Sequence, residues 1–121
     1  MRKFILFLLF LTTSFNVHAT HAAGMDIAYA CITQGSSSDT YKITLKFYRD
    51  CEGVAAPASH PLNYSSSCGS GSATLYFISM TDINPTCLSY CNGGSGFGIE
   101  EYTYEATITL SHCSNWVLSV C

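Results

Sequence analysis

The segment from Cys91 to Cys113, CNGGSGFGIEEYTYEATITLSHC, strongly constrains the fold of this chain. After a glycine-rich start, apolar and polar side chains alternate over ten residues. One side carries Tyr102, Tyr104, Ala106, Ile108 and Leu110, and the other carries Glu101, Thr103, Glu105, Thr107 and Thr109. Because successive side chains leave a strand on opposite faces, this period of two predicts a half-buried β-strand. The cysteine at each end predicts that the strand is held covalently.

The beginning of the chain has the order of a secretory signal peptide. Two basic residues precede the apolar run Phe4–Leu11, and small residues lead up to Ala19. The run is much shorter than the roughly 20 apolar residues that span a bilayer. We therefore predict a signal peptide at 1–19 and one domain at 20–121. The mature chain is expected to be secreted, in the extracellular space or on the cell surface, with no membrane span.

The charge of the mature chain excludes one class of partner. Without residues 1–19, only Lys42, Lys46 and Arg49 remain as strong bases against eight acids, which gives a net charge of −5. A nucleic-acid-binding protein needs a basic face to neutralise phosphates. We predict no nucleic-acid partner.

The predicted mature chain contains all seven cysteines, which are Cys31, Cys51, Cys68, Cys87, Cys91, Cys113 and Cys121. An exported chain meets an oxidising environment, so disulfides are expected. Because seven is odd, one thiol is free, or it pairs between molecules, or its partner lies beyond Cys121. The last alternative is favoured, because the chain stops directly after the apolar, strand-like run Trp116–Val120. Ending there would leave a hydrophobic edge strand bare.

The sequence does not determine which cysteines pair. Sequence proximity suggests Cys87–Cys91 as a loop staple and Cys51–Cys68 across an irregular connection. The alternative is a zinc site at Cys87 and Cys91. Its remaining ligands would come from His112, Cys113 or Cys121. The expected oxidising compartment favours disulfides over zinc.

Further strands are predicted on both sides of the central one. Asp26–Ile32 and Tyr41–Asp50 alternate and are joined by a short turn, which predicts a hairpin. Leu62–Tyr64 is expected to be a short edge strand because proline is excluded from central ones. Ala73–Ser79 is more continuously apolar and is expected to be central. With a last strand at 115–120 and no helical periodicity, the fold class is all-β: an antiparallel, immunoglobulin-like β-sandwich, disulfide-stapled and incomplete at its C-terminal end.

Several blocks resemble a known family. These are DIAYACI (26–32), YKITLKFYRDC (41–51), TDINPTC (81–87) and GIEEYTYEATITL (98–110). Together with Thr20-His21, Cys113 and Trp116, they resemble the amino-terminal domain of large secreted cell-surface proteins of Bacteroidetes, described as gliding-motility-associated or PKD-repeat proteins. The resemblance implies the first of many β-sandwich modules, an adhesive or surface-structural role, and a parent chain with further β-domains. It carries over no catalytic residues.

Two histidines are candidates for catalysis. A cysteine nucleophile activated by His60 or His112 would make a hydrolase, but no nucleophile motif surrounds either histidine. The glycine-rich stretch 93–98 is superficially like a phosphate loop. It opens a strand instead of a helix, so it is interpreted as a flexible connector. No catalytic residue is predicted.

No cofactor is predicted, although calcium has one candidate site. Several acidic side chains could offer it oxygen ligands. They are Glu100, Glu101, Glu105 and Asp82. A solvated polar face is the favoured interpretation of this cluster.

The function predicted from the sequence is a non-enzymatic structural or adhesive module of a secreted or cell-surface protein. Surface glycans or proteins are possible partners, because exposed tyrosines can stack against sugars or a partner surface. The candidate tyrosines are Tyr29, Tyr48, Tyr76 and Tyr90. The alternative is a free-standing, small, disulfide-rich secreted effector or inhibitor that binds a protein partner.

Overall fold

A computed structural model describes residues 22–84 and 88–121. The predicted signal peptide and Cys87 lie outside these residues. Six strands follow one another along the chain, with one 3₁₀ turn at Tyr90–Asn92. The strands are β1 (Ala22–Gln34), β2 (Ser38–Asp50), β3 (Ser59–Ser66), β4 (Gly69–Asp82), β5 (Ile99–Ser111) and β6 (Val117–Val120).

The six strands hydrogen-bond into one sheet in the order β1-β2-β5-β4-β3-β6, and each of these neighbouring pairs is antiparallel. The prediction of an antiparallel all-β fold is confirmed, and so is the β1–β2 hairpin. The predicted two-sheet, immunoglobulin-like sandwich is not confirmed, because the described strands form a single sheet that curls on itself.

The curl is visible in contacts between strands that are distant in the sheet order. His60 of β3 packs against Phe47 of β2, with 5.4 Å between the ring centroids, although β5 and β4 lie between these strands. Leu118 of β6 likewise lines a cavity together with Ile43 of β2. The curl brings β3 and β6 over one face of β2 and β5, so a single sheet can enclose its own core.

The core consists of one apolar cluster on this concave face. Its buried members are Ile43, Leu45, Phe47, Leu62, Leu75, Tyr104, Ile108 and Leu110. The predicted facing of β5 is confirmed, because Tyr104, Ile108 and Leu110 are buried while Thr107 and Thr109 are exposed. The alternation in β5 thus identified the inner face of the whole sheet.

The predicted edge position of the strand around Leu62 is wrong. β3 pairs with β4 over its whole length and also with β6. The pairing with β6 covers only Leu62–Ser65, so Pro61 lies just outside it. A proline can therefore stand in an interior strand where the neighbouring strand is too short to need its missing N–H.

The predicted central position of Ala73–Ser79 is correct for only part of β4. In the sheet order β4 lies between β5 and β3, but Gly69–Leu75 pair with β3 alone, and Tyr76 is the position that pairs with both neighbours. Leu75 is fully buried. Beyond Tyr76, β4 pairs with β5 alone, with a register shift between Phe77 and Ser79. Apolar side chains in this second part, including Ile78 and Met80, are consequently exposed.

Two disulfides hold opposite ends of the sheet. Cys51 pairs with Cys91 (Cα–Cα 5.1 Å). Cys68, in the β3–β4 turn, pairs with Cys113 just after β5 (Cα–Cα 6.3 Å). The predicted covalent ties at both ends of β5 are confirmed.

The two pairings suggested by sequence proximity, Cys87–Cys91 and Cys51–Cys68, are wrong. The antiparallel pairing of β2 with β5 brings Cys51 to the loop before β5, where it reaches Cys91. Among the cysteines of residues 22–84 and 88–121, Cys31 and Cys121 are unpaired and exposed.

Candidate interaction surface

A polar cluster closes the end of the sheet where β2 ends and β5 begins. The Arg49 side chain lies at its centre and is largely buried. Its Nη1 donates to Glu100 Oε2 at 2.6 Å, and its remaining donors reach backbone carbonyls. Those acceptors are the carbonyl oxygens of Cys51, Gly53 and Val54, at 3.3, 2.8 and 2.6 Å. One guanidinium therefore fixes both the β2–β5 register and the turn after β2.

A second residue of β5, Tyr102, also binds the Glu100 carboxylate. The hydroxyl of Tyr102 donates to Glu100 Oε2 at 3.0 Å. Burial, together with the neighbouring Glu100 carboxylate, raises the pKa of Tyr102. The phenol thus remains a neutral donor in a structural network.

Asn84 connects this cluster to the end of β4. Its side-chain amide contacts Asp82 Oδ1 and, at 3.1 Å, Cys91 Sγ, while its oxygen accepts from the Ile99 amide. Gly98 completes the packing. A Cβ at that position would stand 2.7 Å from Cys91 Sγ, so a larger residue cannot fit there without displacing the disulfide.

The described residues of three sequence blocks noted above, 41–51, 81–84 and 98–110, meet in this cluster. Its polar groups are used internally, since the guanidinium is surrounded by protein acceptors. Cys51, Cys91 and Glu100 lie close enough together to resemble three metal ligands. The two sulfurs are joined in a disulfide, however, and the carboxylate is held by Arg49. The arrangement is that of a structural tie between strands.

The two histidines considered as activating bases occupy different environments. Nε2 of His112 lies 3.1 Å from Asp39 Oδ1, and this hydrogen bond lowers the pKa of Asp39. Cys113, next in sequence, is in its disulfide. The ring of His60 is buried between the rings of Phe47 and Tyr104, and burial lowers its pKa.

The glutamates considered as calcium ligands are engaged with cations of β2. Lys42 pairs with Glu105 at 3.3 Å and Lys46 with Glu101 at 2.9 Å, while Glu100 is bound to Arg49. The hydrogen bond from Lys46 lowers the pKa of Glu101. These carboxylates are distributed along a ladder of ion pairs, so calcium binding here would have to break those pairs.

The glycine-rich stretch before β5 is folded back on itself. Gly93 has a left-handed φ of 84° directly after the 3₁₀ turn. The amide of Gly94 bonds to Ser89 O at 2.8 Å, and the amide of Gly96 bonds to Leu88 O at 3.1 Å. These amides are turned inward to close the loop, in contrast to a phosphate-binding loop, whose amides face the anion.

Strand β1 carries a row of exposed apolar side chains on the core face of the sheet. Met25, Ile27 and Tyr29 lie opposite buried residues of β2 in the strand register. They share the core face with those residues, yet their exposed fractions are 48, 41 and 74%. The neighbouring residues of β2, Phe47, Leu45 and Ile43, are exposed by only 8, 1 and 1%. We call Met25, Ile27, Tyr29 and Cys31 the β1 row.

A small cavity adjoins the β1 row. It has a volume of about 210 Å³ and opens between β1 and β6. Its lining residues are Tyr29, Tyr41, Ile43, Leu110, Cys113, Ser114, Trp116 and Leu118. Pockets for small-molecule ligands usually measure about 300–1,000 Å³, so this cavity suits a single side chain of a protein partner better.

Three of the four tyrosines suggested from the sequence are exposed, namely Tyr29, Tyr76 and Tyr90, whereas Tyr48 is partly buried. The sequence did not indicate that Met25 and Ile27 would be exposed. Their alternation is that of an ordinary buried face, and no sequence signal distinguishes a covered face from an uncovered one.

Comparison with known proteins yields no matching family model, no similar curated protein and no similar solved structure. Among residues 22–84 and 88–121, no helix has the length and apolar character needed to cross a membrane.

Proposed function

We propose that this chain is a non-enzymatic structural or adhesive module of a secreted or cell-surface protein, and that it docks to other protein surfaces through the β1 row. The observation that carries this proposal is the exposure of that row beside a buried one. A contiguous apolar strip on the core face is typical of a protein interaction site. The resemblance to amino-terminal domains of Bacteroidetes surface proteins supports the same role.

The proposal extends to the architecture of the parent protein. In a longer chain, further β-domains would follow this one, and an added strand would complete an immunoglobulin-like sandwich without covering the β1 row. The disulfides support an oxidising location outside the cytoplasm. DNA sequence downstream of the Cys121 codon tests this part: an open reading frame encoding more β-domains supports it, and an immediate stop codon contradicts it.

Adhesion itself is tested with beads carrying the exported protein, applied to protein-coated and glycan-coated surfaces. Ile27→Lys places a charge in the β1 row and is expected to abolish retention of the beads. Val117→Lys changes an exposed apolar residue on β6 and is the matched control, with retention expected to be unchanged. Equal retention for both variants and the wild type would contradict docking through the β1 row.

The alternative function, a disulfide-rich effector or inhibitor that binds a protein partner, has one observation in its favour. The loop before β5 is tied to β2 by the Cys51–Cys91 disulfide and exposes Leu88 and Phe97. A rigid loop with apolar side chains at its surface is suited to insertion into a partner's cleft. Loss of partner binding in Phe97→Ser, with Ile27→Lys unaffected, would favour this alternative.

A further inference from the structure

The outer edge of β1 is unusually open to pairing with another strand. In the part of the chain that the structure describes, β1 pairs with β2 alone. Natural edge strands are commonly protected by lysine, proline, bulges or short length. β1 has 13 residues, no lysine and no proline, and Asp26 is its single charge. Its register irregularities lie near the ends, at Ala22/Gly24 and Cys31/Thr33, so Gly24–Cys31 is regular.

The regular part of β1 is self-complementary about Ala28. In an antiparallel pair of two such strands centred there, Ile27 faces Tyr29 of the other copy and Met25 faces Cys31. An aromatic residue opposite a β-branched one is a favourable cross-strand pair. This register uses the whole β1 row. Centring the pair on Ile27 instead would leave Cys31 outside.

The charges agree with the same register. Asp26 would face the small side chain of Ala30, so two copies meet without like charges opposite each other. Within its own chain, Asp26 lies opposite Lys46, which partly neutralises it. In this pairing, the core faces of both copies lie on the same side of the joined sheet. The two β1 rows are therefore adjacent.

We propose that the β1 edge binds a second copy of this chain through antiparallel β1–β1 pairing around a twofold axis at Ala28. The inference deepens the proposed structural function by naming the partner. A contact of about seven residues per copy is much smaller than the roughly 20–30 residues per side of a standard stable interface. The dimer is therefore reversible and depends on protein concentration.

Sedimentation velocity over a concentration series tests the pairing, with the protein purified from a host that exports it. The wild type should shift from monomer toward dimer as concentration rises. Ile27→Lys should remain monomeric at every concentration, because two lysines would face the apolar row. Val117→Lys, on the opposite edge strand, should dimerise like the wild type. A monomeric wild type, or dimerisation unaffected by Ile27→Lys, overturns the proposal.

Disulfide trapping tests the register and does not depend on the folding of Ile27→Lys. In a Cys121→Ser background, which removes the other exposed free thiol, Met25→Cys places a thiol opposite the native Cys31 of the other copy, so mild oxidation with glutathione should yield a covalent dimer. The same variant carrying Cys31→Ser should yield none. A covalent dimer that persists without Cys31 overturns the Ala28 register, as does failure of Met25→Cys to cross-link at concentrations where the protein dimerises.

The two proposals fail separately. A protein that adheres to surfaces but stays monomeric contradicts β1 self-pairing and leaves the adhesive function standing. A protein that dimerises but does not adhere contradicts the adhesive function and leaves the pairing standing.

Discussion

Neighbouring strands β1 and β2 carry the same apolar pattern with opposite outcomes. Ile43, Leu45 and Phe47 are buried, while the residues opposite them on β1 are exposed. Both rows lie on the core face. The difference comes from β3 and β6, which curl over β2 and β5 and do not extend over β1. Period-two alternation thus determines which face a side chain occupies, and strands far away in the chain determine whether that face is covered.

The comparison separates two uses of apolar residues. On β2 and β5 they supply the free energy of folding, since burial removes their surface from water. On β1 that surface remains in water in the folded monomer and is free to supply binding energy. Substitutions in the two rows should therefore affect different measurements.

The largest expected effect is in the fully enclosed part of β5. Ile108→Asp buries a carboxylate without a partner and should destabilise the fold by about 4 kcal/mol or more, which is enough to unfold a marginally stable domain. Thr107→Asp is the matched control on the exposed face and should change stability by about 0.5 kcal/mol or less. Equal losses in thermal melts would mean that the facing of β5 is wrong.

A milder substitution compares the two rows directly. Leu45→Ala should lower the free energy of unfolding by about 2–5 kcal/mol, because it leaves a cavity in the core. Ile27→Ala, at the residue opposite Leu45 in the register, should cost about 1 kcal/mol or less in the monomer. Urea unfolding at dilute protein concentration measures both, and similar losses would contradict the contrast between the rows.

The disulfide at the β3–β4 turn helps to hold β3 and β6 over β2 and β5. We call β3 and β6 the cover. Replacing both Cys68 and Cys113 with serine frees the β3–β4 hairpin from the end of β5. The expected loss is about 2–4 kcal/mol, as for other native bridges. Urea unfolding at dilute protein concentration measures it. An unchanged free energy of unfolding would show that the cover is held by packing alone.

The smallest predicted effect is a dependence of the free energy of unfolding on pH, which originates at His60 of β3. Burial lowers the pKa of His60 below its ordinary value of 6.5. The unfolded state therefore takes up a proton first, and stability should fall as pH drops below about 6.5, by at most about 1.4 kcal/mol per pH unit. The nearby Tyr104 hydroxyl donates to Pro57 O at 2.7 Å.

His60→Phe is the control for this pH effect, because a similar ring without a titrating nitrogen should remove that slope. The lowered pKa values of Asp39 and Glu101 act below about pH 4.5, outside this window. Urea midpoints at about pH 7 and about pH 5 make the comparison. A variant with the full slope of the wild type would show that another group titrates.

Much of the fold was predictable from the sequence, because alternation is a local property. The strand type, the β1–β2 hairpin and the inner face of β5 followed from it. The cysteine pairs were not predictable, because Cys51 meets Cys91 only after β2 and β5 find their register. The interior position of β3 was missed because Pro61 argues against it, and Pro61 is tolerated there only because the pairing with β6 stops at Leu62. The exposure of Ile27 depends on the curl of the sheet, which is not visible locally.

The most direct test of the account is hydrogen exchange, resolved by residue, in dilute and concentrated protein. We expect the amides of Ile43–Phe47 to exchange slowly at both concentrations. The amides of Met25–Cys31 that point away from β2 should exchange fast in dilute protein and slow down in concentrated protein. If these β1 amides are already as protected as β2 in dilute protein, the edge is covered within the monomer, and the account is contradicted.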